Sequence, residues 1–180
     1  DDYPRILYHF GNSPFHQYMF RLLERYPGVV CLHDFFMSGY SRYIELTGKN
    51  EFYWCQDLYR AHGYKAVRER FSESDTETVM YKYPCNFRIL QSAKGIIVHS
   101  DYSKHLALQW YGPSCGRDWV IVPLARRLCD IVDREKYRKS LGFTKDNFVI
   151  CSFGFLDSTK LNHRLLKAWL ASALANNSNC

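Results

Sequence analysis

Residues 5–34 read RILYHFGNSPFHQYMFRLLERYPGVVCLHD, and the order of signals in this stretch decides the fold class. Arg5–Phe10 is apolar and β-prone. Gly11–Asn12 permits a sharp turn. Ser13 is a good N-cap and Pro14 suits the first helical position. Phe15, Met19, Leu22 and Leu23 recur at helical spacing, and Gly28 stands where a helix-ending glycine is usual. Val29–Leu32 is a short apolar run of the kind that a parallel sheet buries. His33 and Asp34 end that strand. Open α/β sheets bind ligands at the carboxyl ends of their strands, so Gly11–Asn12 and His33–Asp34 are expected to share one rim.

Residues 35–92 carry few strand signals and read as a helical insertion, with helices near 40–47, 51–60, 63–72 and 77–92. Gly48, Gly63 and Pro84 punctuate it. Phe71–Thr78 is polar and reads as a loop, with Ser74 or Asp75 as a cap. Strands return at Ile96–His99, followed by Ser100, Asp101 and a helix over 102–111, and again at Trp119–Val122. Strands alternating with helices imply βαβ units, a parallel sheet and right-handed crossovers. Residues 124–146 read as a charged linker with a short helix over 134–140. Asn147–Phe153 restarts the strand pattern, Gly154 closes it, and Ser158 or Thr159 opens a helix to about Ala175. The expected layout is a Rossmann-like domain over 1–123, a linker over 124–146, and over 147–180 the first βα unit of a second domain. A lone βα unit cannot bury both faces of its strand, so strand 147–153 is expected to pair with another edge or another chain.

Composition narrows the function. The chain is 47% hydrophobic and 17% aromatic, enough for a packed core, and its formal net charge is only +6. There is no zinc-finger spacing, no aromatic RNA-binding signature and no sustained basic run, which argues against nucleic acid. Arg60, Lys65, Arg68 and Arg70 form either a solvated helix face or a patch for anionic lipid or a phosphorylated substrate. Seven cysteines without a CxxC pair suit free thiols in a reducing compartment, with Cys31 and Cys151 in buried strands. No apolar window spans a bilayer, and a cytoplasmic protein, peripheral to the membrane at most, is expected. A metal triad of His33, Asp34 and His99 fits by composition alone. No HxxxH or HExxH spacing supports it, and no metal site or cofactor is expected. His9 alternates with apolar neighbours and reads as a core or rim group, as does His99 at its strand end.

Four segments in this order, YHFGNSPFHQYMFRLLERYPGVVCLHDFF (8–36), SAKGIIVHSDYSKHL (92–106), WVIVP (119–123) and SFGFLDSTK (152–160), resemble the family 4 (group 1) retaining glycosyltransferases. The resemblance implies a GT-B fold, in which two Rossmann-like domains face each other across a cleft. It implies transfer of a hexose from a nucleotide-sugar to a glycan or lipid-linked acceptor, with retention and without a required metal ion. His33 matches the histidine facing the transfer site, with Asp34 beside it. Gly11 and Asn12 match the acceptor loop, which His16 adjoins, and Ser100 matches a residue closing the first domain near the cleft. Lys160, after Gly154, matches the lysine that neutralises the donor diphosphate. Leu124–Ala125 stand where the family often has Asn-Gly, and Phe155 stands where an arginine is common. The family's first strand and its Glu-x7-Glu motif fall outside residues 1–180, so the chain is expected to be an inactive part of a larger enzyme. The other expectation is a non-catalytic glycan- or protein-binding module that self-associates through strand 147–153.

Overall fold

The computed structural model describes residues 5–48, 50–127, 133–154, 156, 160–177 and 179. It divides into two compact units, Asp1–Ala125 and Arg126–Cys180. In the first, strands β1 (Leu7–Phe10), β2 (Val29–Leu32), β3 (Gly95–Val98) and β4 (Val120–Ile121) form one sheet in the order β1-β2-β3-β4. All three pairings are parallel. The fold is therefore α/β, with a four-stranded parallel sheet and flanking helices, as the sequence predicts.

Sequential parallel order with right-handed crossovers puts every connecting helix on the same side of the sheet. The packing agrees. Tyr8, Phe10, Val30, Leu32, Ile96 and Val98 point to one face and join Met19, Phe20 and Leu23 of α1 (Gln17–Arg25) in the main core. Tyr40 and Ile44 of α2 (Ser38–Leu46), and Leu106 and Ala107 of α6 (Asp101–Tyr111), complete it. The other face carries Leu7, Val29, Val120 and Val122, all exposed. The helical insertion holds α3 (Tyr53–Ser72), α4 (Thr76–Lys82) and α5 (Phe87–Ser92). It has its own small core of Trp54, Leu58, Ala66, Val79, Tyr83 and Cys85.

Several local readings are revised. Ser13 and Pro14 open a single 3-10 turn, Pro14–His16, before α1 begins. Phe15 and Leu22 are exposed, and the buried stripe is Met19, Phe20 and Leu23. The expected helix over 77–92 is two helices. Pro84 has no N–H to continue α4, and Cys85 turns left-handed at φ 53°. Asp75, one of the two expected caps, accepts from the Glu77 N–H at 2.9 Å. The helices expected over 51–60 and 63–72 are both present within α3, which Gly63 breaks with a non-helical φ of 72° and ψ of −169°, as expected. Gly28 is not a left-handed helix terminator. A Cβ there would stand 2.5 Å from the Ile6 carbonyl oxygen, so the absence of a side chain lets β1 approach β2. Gly28→Ala should cost about 1–3 kcal/mol, the usual range for forced overpacking. The urea midpoint of the variant measures it.

The second unit holds α7 (Arg134–Ser140), α8 (Asn162–Leu170) and a 3-10 turn, Ala173–Asn176. Asp133 caps α7 through Lys136 N–H at 3.1 Å. The strand expected over 147–153 is not formed. Among the described residues this unit offers no second strand, and an isolated segment has no ladder to join. Cys151 is exposed rather than buried. The helix expected from Ser158 or Thr159 starts, as described, at Asn162; residues 157–159 lie outside the described residues, as does Phe155. Of the seven cysteines, Cys31, Cys55, Cys85, Cys115 and Cys151 are free, and Cys129 and Cys180 lie outside the described residues. No described helix is long and apolar enough to cross a membrane.

His62 on α3 makes a pH-sensitive contact in the insertion. Its Nε2 accepts the Cys85 N–H at 3.2 Å, and the rings of Tyr83, Trp110 and Tyr111 surround it. Burial lowers its pKa to about 4. A histidine with a depressed folded-state pKa leaves the unfolded chain binding more protons between about pH 6.5 and 4, so stability falls as the pH drops through that window. The denaturation midpoint of the wild type should fall there. His62→Gln, which keeps an acceptor for Cys85, should flatten that slope.

Candidate functional site

The site is built at the carboxyl edge of the sheet, where the chain leaves β1, β2 and β3. The ladder continues just past the strands, with His33 N–H donating to Phe10 O at 2.8 Å and Val122 N–H to Val98 O at 2.9 Å. Gly11–Asn12, His33–Asp34 and His99–Ser100 therefore leave the sheet side by side. The rim expected from the sequence is present.

Each residue of the rim is held by a specific bond. Asp34 Oδ2 accepts the Asn12 N–H at 2.8 Å, which fixes the turn after β1. Asn12 Oδ1 accepts the Tyr40 N–H at 2.7 Å. Tyr40 is in the first turn of α2, whose opening N–H groups lack partners within the helix. Asn12 thus caps a helix 28 residues away in sequence. Gly39 makes room for it, since a Cβ there would lie 2.8 Å from Asn12 Nδ2. His16 Nδ1 lies 2.9 Å from Gly11 N and 2.7 Å from Gly11 O. Its tautomer selects between accepting from the one and donating to the other. A Cβ on Gly11 would stand 2.9 Å from His16 Cε1 and 3.2 Å from Asp34 Oδ2, so the glycine is what lets these groups converge. Ser100 starts α6 without a side-chain cap bond, and its exposed hydroxyl faces solvent at the rim.

His33 is the centre of a row that the sequence reading did not assemble. Side chains alternate along a strand, and His9 is paired with Cys31 and Cys31 with Ile97. His33 and His99 follow two residues further along β2 and β3. All four polar side chains therefore lie on the face opposite the one that packs against α1, α2 and α6. His9 Nδ1 is 3.0 Å from His33 Nε2, His33 Nδ1 is 2.9 Å from His99 Nε2, and His99 Nδ1 is 2.7 Å from Val122 O. The rings of His9 and His33 stack with centroids 5.2 Å apart.

The carbonyl of Val122 orients this row. A carbonyl only accepts, so His99 Nδ1 carries its proton and His99 Nε2 is an acceptor. His33 Nδ1 must then donate to it, which leaves His33 Nε2 to accept from His9 Nδ1–H. Burial, followed by the neighbouring charges of His99 and His9, holds the His33 pKa below the ordinary imidazole value. Burial pushes the Cys31 thiol up, and Cys31 Sγ lies 3.6 Å from His99 Nε2.

The signal for the row is in the sequence. Histidines occupy same-face positions at the ends of three strand runs, and reading strand ends across the sheet would have grouped them. The triad that composition offers, His33, Asp34 and His99, is not the cluster that forms, because the Asp34 carboxylate turns to Asn12 while His9 and Cys31 join His33. In the second unit, Gly154 has φ 120° and Lys160 is exposed just ahead of α8. No protein-family model, curated protein or solved structure matches the chain.

Proposed function

We propose that this chain forms the acceptor side of a retaining glycosyltransferase of the GT-B type, together with the opening part of its donor side. The observation that carries the reading is the convergence of Gly11–Asn12, His33–Asp34 and Ser100 on the carboxyl edge of a parallel sheet, where α/β folds bind their ligands. The intact parent would transfer a hexose from a nucleotide-sugar to a glycan or lipid-linked acceptor. His33, neutral at physiological pH because of its depressed pKa, would exchange the bond its Nε2 accepts from His9 for one from substrate at the transfer centre. Asp34 would hold the acceptor turn through Asn12, and the Ser100 hydroxyl would meet the acceptor. Gly154 and Lys160 would receive the donor diphosphate, whose growing negative charge as it departs is stabilised by a cation. No protein nucleophile is assigned; the leaving phosphate would guide the incoming hydroxyl.

The competing view of a non-catalytic module rests on pairing through strand 147–153, and the described residues form no such strand. The experiment is a transfer assay of the parent polypeptide with a panel of nucleotide-sugars and glycan or glycolipid acceptors, with product stereochemistry read by NMR. Retention at the anomeric carbon is expected. The isolated 180-residue chain should leave nucleotide-sugars intact. Hydrolysis by it above background, or an inverted product from the parent, would overturn the proposal.

A further inference from the structure

His9, Cys31 and His33 each present one ligand atom, and these atoms all lie within 4.8 Å of one another. We infer that these three side chains form a binding site for a divalent transition-metal ion of the zinc class, leaving a fourth position open. The inference does not depend on the glycosyltransferase reading, in which no metal takes part.

The donor set selects the class of ion. Imidazole nitrogen and thiolate sulfur suit zinc, cobalt, nickel and copper, whereas magnesium and calcium require oxygen. Three protein ligands with a free fourth position is the arrangement of open zinc sites. The spacing is close to what such an ion needs. Two nitrogens bound tetrahedrally at zinc-ligand distance stand about 3.3 Å apart, and His9 Nδ1 and His33 Nε2 are 3.0 Å apart. Both imidazoles sit on an exposed edge, so small ring rotations open the gap and the ion has an entry path.

The hydrogen-bonded row supplies what a ligating histidine requires from its surroundings. Metal-bound imidazole usually donates its other ring N–H to a fixed acceptor. Here His33 Nδ1–H donates to His99 Nε2, and His99 is locked in turn by Val122 O. This directionality leaves the His33 Nε2 lone pair aimed toward His9. Binding has a definite proton balance. The Cys31 thiol proton leaves to solvent as the sulfur–metal bond forms. His9 moves its proton from Nδ1 to Nε2 and keeps it. One proton is released per ion.

The test uses the 180-residue chain, freed of metal by chelator and titrated with Co2+ and then Zn2+. Expected are a 1:1 cobalt complex with a thiolate charge-transfer band in the near ultraviolet, its displacement by zinc, and release of about one proton per ion. Cys31→Ser should abolish the band. His9→Gln and His33→Gln should weaken zinc binding more than about 100-fold, beyond the roughly 10–100-fold typical of an outer-shell change, which is the loss expected for His99→Gln. Circular dichroism monitors folding. His9 is at an exposed edge, so His9→Gln keeps the test decisive even if His33→Gln misfolds. Cys151→Ser, which removes the exposed thiol of the other unit, should leave the band intact. Absence of the band, its loss in Cys151→Ser instead, or zinc affinity unchanged by Cys31→Ser and His9→Gln would overturn the inference. Because the readout is metal binding rather than sugar transfer, its failure leaves the transferase proposal standing, and the reverse holds too.

Discussion

Trp54→Ala should lower the stability of the first unit by about 3–5 kcal/mol, the range for removing a buried large aromatic side chain. Native stability is typically about 5–15 kcal/mol, so the loss would be a large fraction of the whole. Trp54 is 1% exposed and is the largest side chain of the insertion core. It is also a junction. Its Nε1–H donates to Ser38 Oγ at 2.9 Å, and the Ser38 hydroxyl donates to Cys85 Sγ at 3.2 Å. The Arg70 guanidinium lies over the ring, 5.0 Å from its centroid, and pairs with Glu45. Glu45 Oε2 in turn accepts the Trp54 backbone N–H at 3.0 Å, which ties α2 to the start of α3. Truncation would open a cavity and leave the buried Ser38 hydroxyl without a donor. Trp54→Phe keeps most of the volume and should cost less; its own loss reports the missing bond to Ser38, and the difference between the two variants reports the cavity. Chemical denaturation of both variants measures this. A loss below 1 kcal/mol for the alanine variant would mean that the insertion does not fold as one unit with the sheet.

Under the proposed transferase function, His33→Ala should reduce kcat by about 10²–10³, the usual loss when one preorganised hydrogen-bonding group is removed from a transition state. His33 is the rim residue with both ring nitrogens engaged, toward His9 and His99. Its depressed pKa keeps the ring neutral, so activity should persist into more acidic solution than an ordinary imidazole would allow. Asp34→Asn retains an acceptor for the Asn12 N–H and should act more mildly than Asp34→Ala, which releases the turn. Steady-state kinetics separates the two. Loss in KM alone for His33→Ala would move this residue from transfer to acceptor binding.

The sheet was legible because short apolar runs bounded by Gly, Pro and Asp carry their own punctuation. Leu7–Phe10, Val29–Leu32 and Val120–Ile121 fall within the runs read as strands, and Gly95–Val98 is shifted by one residue from the run read as Ile96–His99. What escaped was long-range. Nothing local to Asn12 announces that its side chain caps a helix at Tyr40. Gly28 looked like a helix terminator because the Ile6 carbonyl that crowds it is far away in sequence. Asn147–Phe153 has strand composition, but strand composition expresses only the fit to a pleated surface, and its own unit supplies no such surface among the described residues. The rim residues Gly11, Asn12, His33 and Asp34 were found by position at strand ends, and Ser100 through the family resemblance. His9 was set aside because alternation with apolar neighbours was read as a core or rim position, whereas its ring is exposed; Cys31 is buried, as its strand composition suggested.

The Val122 carbonyl has one more effect. It fixes every proton in the imidazole row in a single direction. A proton arriving at His9 Nε2 can be passed on by small shifts along the 3.0 Å and 2.9 Å bonds until the positive charge rests on His99, without any ring turning over. A second charge in the row would meet the first at close range and is disfavoured. The row is thus a directional proton path along the edge of the sheet, leading from the exposed ring of His9 to the ring held by the Val122 carbonyl.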